Sequence, residues 1–208
     1  RGNYSALDTA DFTYYESLAD TTVVRHGFNH LRKDGARLIR LHLQEIRRGW
    51  TGPADKTVAG SSYQHAILHA DSLLGVFIGA LKTVGVWDST CIVVSSDHGM
   101  GTTAQSDHPP ADASSWRPVM LFYGPGVKKG ATIPYAETPD IALMTAYFLH
   151  LPPLRGHLDP ATEVVPKGTT GTFLANILVG GPKDVKHPRM IRRYLESKNW
   201  RAGNDYAE

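Results

Sequence analysis

The sequence predicts an α/β fold, a layered sheet covered by helices, on three observations. Residues 61–84 place Tyr63, Ala66, Ile67, Ala70, Leu73, Leu74, Phe77, Ile78 and Leu81 at three- and four-residue spacing, the period of a helix with one apolar stripe. Residues 90–95, Thr-Cys-Ile-Val-Val-Ser, are short, β-branched and continuously apolar, as a central strand buried on both faces should be. Residues 118–123 form a second such run, closed by Gly124-Pro125-Gly126. Strand, helix, strand, strand, helix is the order of a sheet with helices packed on it.

The elements follow in chain order. Residues 1–36 make an N-terminal segment of mixed character, with Tyr14-Tyr15 and a helix-compatible stretch over 12–18. Asp8-Thr9 and Asp20-Thr21-Thr22 in it read as helix caps or turn residues, since neither follows an apolar strand. Residues 37–46 alternate apolar with polar and put Ile39, Leu41 and Leu43 on one face, which predicts a strand. Residues 48–60 are a Gly- and Pro-bearing loop. The helix over 61–84 has Ser61 or Ser62 as its N-cap and Gly85 as its stop. A second helix spans 139–149, with Pro139 suited to its first turn. Residues 156–181 are loop-rich, and 184–200 read as a tail helix, basic on one face. The organisation is thus an N-terminal segment over 1–36, a sheet-and-helix region over 37–160, and a loop and tail-helix extension over 161–208.

Composition excludes several classes. The chain has 208 residues, 41% hydrophobic and 20% charged, which is a globular and not a disordered balance. A net charge of +2 is too mild for a phosphate-tracking surface, so no nucleic-acid partner is expected. Arg47-Arg48 and the basic residues of 186–193 read as solvated faces. The single cysteine, Cys91, permits no internal disulfide and reads as a buried core thiol. It favours a reducing setting, intracellular or organellar, mitochondrial included, over a secreted one. No apolar stretch approaches the roughly 20 residues of a bilayer span, so no membrane span is expected, and no signal peptide is visible. The first residue is Arg1, which a cleaved targeting segment or a longer precursor would explain.

The chemistry concentrates in Ser96-Asp97-His98-Gly99-Met100-Gly101, directly after the apolar run over 90–95. In open α/β sheets ligands sit beyond the carboxyl ends of strands. Asp97 offers a hard oxygen and His98 an imidazole nitrogen, a mixture suited to zinc and similar divalent ions. Gly99 and Gly101 allow close backbone approach. Without further context, an Asp-His pair is more often a polar turn than a ligand pair.

The context supplies a resemblance. Asp71-Ser-Leu-Leu-Gly75, then Leu81, Gly85, Asp88-Ser-Thr90 and Val93-Val94-Ser-Ser-Asp-His-Gly-Met100 resemble the alkaline phosphatase superfamily. The likeness is to its type I phosphodiesterase and nucleotide-pyrophosphatase branch, with some likeness to sulfatases. The run from Pro118 through Val127, containing Gly124-Pro125-Gly126, and Pro139-Asp140-Ile141-Ala142 with Leu149 continue it over residues 37–160. The resemblance implies the C-terminal part of a two-metal hydrolase domain, a partial alkaline-phosphatase-like fold. One metal of such a site activates a Thr or Ser nucleophile and the other holds the phosphate. Asp97 and His98 match the pair on one metal. His108 follows near the spacing of the next ligand histidine, although it stands in His-Pro-Pro instead of His-Gly, and Asp107 beside it offers a substitute oxygen.

The pattern also breaks. The superfamily's "D-x-x-G-H-x-x-G-P" ligand motif corresponds here to Ile46-Arg47-Arg48-Gly49-Trp50-Thr51-Gly52-Pro53. Ile46 stands at the Asp position and Trp50 at the His position, and neither side chain binds a cation. Glu45 is adjacent, but on a strand it would face the other way. The resemblance places the nucleophile and first Asp ligand upstream of the matched region, where residues 1–36 offer no equivalent. The expectation is therefore no catalytic residue, and a vestigial metal site of Asp97, His98 and His108. No cofactor is expected, unless zinc or another divalent metal persists there. The chain would act as a structural or accessory subunit bound to protein partners in a larger assembly. The alternative is one part of a metal-dependent phosphodiesterase or phosphatase completed by another segment or chain. His65 and His69, four apart on the long helix, read as a solvent-facing pair before they read as ligands, and the four tryptophans read as packing residues.

Overall fold

The computed structural model describes residues 19–101, 108–109, 112–151, 171–183 and 185. The sequence-predicted helices over 12–18 and 184–200 fall almost wholly outside these residues. The chain divides into two compact units, Arg1–Val84 and Gly85–Glu208.

The first unit is helical. Helix α1 spans Asp20–Asp34 and stops at Gly35, whose φ of 64° is the left-handed C-cap that glycine accepts without strain. Helix α2 is the single turn Glu45–Gly49. Helix α3 spans Ser62–Thr83, and both α1 and α2 pack on it. Ser61 caps α3: its Oγ accepts from Gln64 N at 3.2 Å and donates to the Asp55 carbonyl at 2.8 Å. Among the described residues, Leu73, Phe77 and Leu81 of α3 and Val24 of α1 are the buried hydrophobic side chains here. Helix α2 approaches α3 closely because residue 49 is glycine. A Cβ at Gly49 would stand 2.7 Å from the Ser62 carbonyl oxygen.

Residues 37–46 correct the expected strand. No strand is assigned there, and residues 45–49 are helical. The alternation still does its work, because Ile39 and Leu41 lie together against Gly27 of α1. Alternation sets a common face, but a strand also needs a backbone partner, and none pairs with it among the described residues. Among the described residues, α3 is by length and composition alone apolar enough to cross a membrane, a test that core helices also pass. The run carries His65, His69 and Asp71, and its polar positions conceal the apolar total from a search for unbroken runs.

The second unit is built on an antiparallel pair, β1 (Ile92–Ser95) and β2 (Met120–Tyr123), registered Ile92 to Tyr123 and Ser95 to Met120. The fold is mixed α/β. Strand β1 is only half-buried and ends exposed, so it is not the strand buried on both faces that the sequence predicts, and β2 is its one partner among the described residues. Cys91 is likewise half-buried, and burial pushes its thiol above its ordinary pKa. Helix α4 spans Asp140–Phe148 with Pro139 as N-cap. Its Met144 joins Leu174, Ile177 and Leu178 in a buried core lined by Met120, Phe122 and Phe148.

Two polar anchors close this core. Asp140, fully buried, accepts from Glu137 N at 2.7 Å and from Thr172 N, which ties the head of α4 to the segment carrying Leu174. The Lys128 ammonium donates to the carbonyls of Asn176 at 3.0 Å and Gly181 at 3.1 Å. Around it, Lys128 N donates to Ile177 O and Val179 N to Gly126 O, each at 2.8 Å. Removing volume from this core leaves a cavity. Met144→Ala should lower unfolding stability by about 2–5 kcal/mol, whereas Leu68→Ala on the exposed side of α3 should change it by under about 0.5 kcal/mol. Urea denaturation of the two variants checks both values.

Candidate functional site

The Asp97-His98 corner is built from its backbone outward. Beyond β1, Ser96 Oγ donates to the His98 carbonyl at 2.8 Å, and His98 N donates to Asp97 Oδ1 at 3.1 Å. Gly99 N donates to the Ser115 carbonyl at 2.8 Å. Residue 99 must be glycine in this arrangement, because a Cβ would collide with the Ser114 carbonyl. Ser114 completes the turn, its Oγ lying 2.8 Å from the Met100 carbonyl and 2.7 Å from Asp112 Oδ1.

The imidazole of His98 is oriented as a ligand's would be. Its Nδ1 lies 2.9 Å from the Gly99 carbonyl, which can only accept, so Nδ1 carries the proton and Nε2 presents a lone pair. Asp97 Oδ2 lies 3.7 Å from that Nε2, on a side chain 85% exposed. His108 joins them differently: its ring stacks on His98 with centroids 4.1 Å apart and planes 20° from parallel. An ion bound to imidazole lies near the ring plane, about 2 Å from nitrogen. Two planes stacked about 4 Å apart do not share such a point. Asp97 Oδ2 and His98 Nε2 thus lie 3.7 Å apart, while the stack holds the His108 ring out of the His98 plane. Among the described residues no three His, Cys, Asp or Glu side chains converge to hold a metal.

The stretch over 45–50 is occupied by structure. Glu45 Oε1 accepts from Asp20 N at 2.9 Å, and Glu45 Oε2 meets His69 Nδ1 at 2.6 Å. Asp20, buried, reciprocates by accepting from Gln44 N at 2.9 Å and Glu45 N at 3.1 Å. Each acid thus caps the other's helix. The Asp20 N–H and His69 hold the Glu45 carboxyl below its ordinary pKa. Trp50 packs edge-on against Tyr63 at 5.1 Å, with the Lys56 ammonium 5.7 Å above its ring. Burial raises the Tyr63 hydroxyl, as a packed ring requires. Beside these residues an open cavity of about 420 Å³ is lined by Glu45, Arg48, Gly49, Ser62, His65, Ala66 and His69.

Residues 16–146, well over half of the chain, match the family model of the sulfatases. The chain belongs to the sulfatase family. That family lies within the alkaline phosphatase superfamily, and its domains generally use a divalent metal. No curated protein and no solved structure matches the chain.

In this sulfatase-family chain the matched region contains both the Asp97 corner and the stretch over 45–50. Sequence spacing found the first. It missed the Asp20, Glu45 and His69 network, because its partners are 24 and 25 residues apart and no local period joins them. The solvent-facing pair that spacing predicts is there, His65 exposed and the His69 side chain 40% exposed, but spacing does not show that the His69 ring is hydrogen-bonded to Glu45.

Glu45 makes stability pH-dependent. A carboxyl depressed on folding stabilises fully above its ordinary value of 4.5 and loses that contribution as pH falls through its lower folded value. Glu45→Gln should therefore flatten the acid side of the melting-temperature profile while lowering its neutral plateau. Circular dichroism melts from neutral pH down through the carboxylate range check this.

Proposed function

We propose that this chain is a non-catalytic sulfatase-family protein that serves as a structural or accessory subunit of a larger assembly. The observation that carries the reading is the packing of residues 45–50. Where the resemblance expects an aspartate and a histidine, the chain has Ile46 and a tryptophan seated against Tyr63, and Glu45 has both oxygens engaged by Asp20 and His69. Those residues offer no donor to an ion. Asp97, His98 and His108 are then the remnant of a metal site, with His108 held in a ring stack. Losing ligands from a two-metal site removes several kcal/mol of transition-state stabilisation, which is orders of magnitude in rate.

Exposed apolar surface supports the accessory role. Leu121 and Tyr123 on β2 and Val119 just before it are about half exposed or more, as are Leu68 and Val76 on α3. Apolar area of this kind marks surfaces that partners cover. We also read the chain as acting without nucleic acid and without a membrane span, in an intracellular or organellar compartment.

One observation favours the alternative, a hydrolase completed by another segment or chain. His98 already presents Nε2 beside the Asp97 carboxylate, in the tautomer that a metal needs. The two readings part on association. An accessory subunit expressed alone should self-associate or aggregate at micromolar concentration, and analytical ultracentrifugation reads this directly. A stable monomer with one cooperative melt would contradict the accessory role.

A further inference from the structure

We propose that His65 and His69 form a two-imidazole chelate for a borderline divalent transition ion, Zn²⁺, Ni²⁺ or Cu²⁺, in the open cavity beside α3. Residues four apart on a helix share a face, with Cβ atoms about 5–6 Å apart. Both rings line the same cavity of about 420 Å³. The His69 ring is aimed from behind, with its Nδ1 2.6 Å from Glu45 Oε2, so Nε2 is left as the donor. This is the carboxylate–histidine arrangement that fixes a ligand's tautomer and raises its basicity. Glu45 is itself held, because its other oxygen accepts from the Asp20 N–H. The carboxylate therefore orients His69 and does not compete for the ion.

His65, one turn earlier, is exposed, and its ring makes no hydrogen bond or ion pair among the described residues, so the ring nitrogens are open to a ligand. Arg48 is the one fixed cation in the cavity wall. Its Nη2 donates to Gln44 Oε1 at 3.4 Å, and its charge is opposed by neighbouring Glu45. Glu45 and Arg48 oppose each other in the wall, and imidazole nitrogens are donors matched to borderline ions. No third His, Cys, Asp or Glu joins them among the described residues, so water completes the coordination. Such a site is open and its ion exchangeable, unlike a closed four-ligand structural zinc.

Titrating the full chain with Zn²⁺ alone, by calorimetry and by imidazole NMR, tests this. Binding should shift the His65 and His69 ring signals together. His65→Asn, at an exposed position without structural partners, should abolish that binding, while His42→Asn should leave it intact. Glu45→Gln should weaken it by about tenfold or more, provided circular dichroism shows the helices retained. If Glu45→Gln unfolds, His65→Asn alone decides. Zn²⁺ uptake that survives His65→Asn, uptake lost only in His98→Asn, or no uptake would each overturn the proposal.

Discussion

The helical unit depends on one carboxylate. Glu45 is the meeting point of three helices: it caps α1 through the Asp20 N–H, it begins α2, and it holds His69 of α3. A helix leaves its first N–H groups without partners, and the reciprocal bonds of Asp20 and Glu45 satisfy them at two helix starts at once. Holding Glu45 in this way fixes the direction in which the chain leaves α2. Trp50 then falls against Tyr63 and Thr51 N against Asp55, and the segment becomes a packed connection. The loss of ligands at 46 and 50 and the network around Glu45 are thus two aspects of one local structure.

The second unit uses a buried acid in the same way. Asp140 sits at the head of α4 and binds the backbone of Glu137 and Thr172, as Asp20 binds the backbone of Gln44 and Glu45. Both buried acids accept hydrogen bonds from backbone N–H groups. Asp97 is the opposite: an exposed carboxylate, bonded to its neighbour's N–H, on a glycine-bearing turn that leaves it open. Burial with full hydrogen bonding marks the acids that build the fold. Asp97, by contrast, is left exposed on its turn.

What the sequence made legible follows from the range of each interaction. Helix α3 and strands β1 and β2 stand out because their signals are local: a long period of 3.6, two short β-branched runs, and Ser61 as cap. Helix α1 did not, because it contains Gly27, Asn29 and several β-branched residues, poor helix formers that Val24 burial and the distant Glu45 compensate. The alternation over 37–46 was read correctly as a shared face and wrongly as a strand, since sequence shows faces and not backbone partners. At the corner, spacing brought Asp97, His98 and His108 together. It could not show that the two imidazoles meet as a stack instead of converging on a point.

Whether the Asp97 corner still works as a hydrolytic centre is decided by turnover. The most direct measurement is the rate of nitrophenyl sulfate and nitrophenyl phosphate hydrolysis by the full chain, with excess divalent metal, beside an Asp97→Asn variant. A vestigial site predicts equal rates at background for both proteins. Metal-dependent turnover in the native chain that Asp97→Asn abolishes would contradict it.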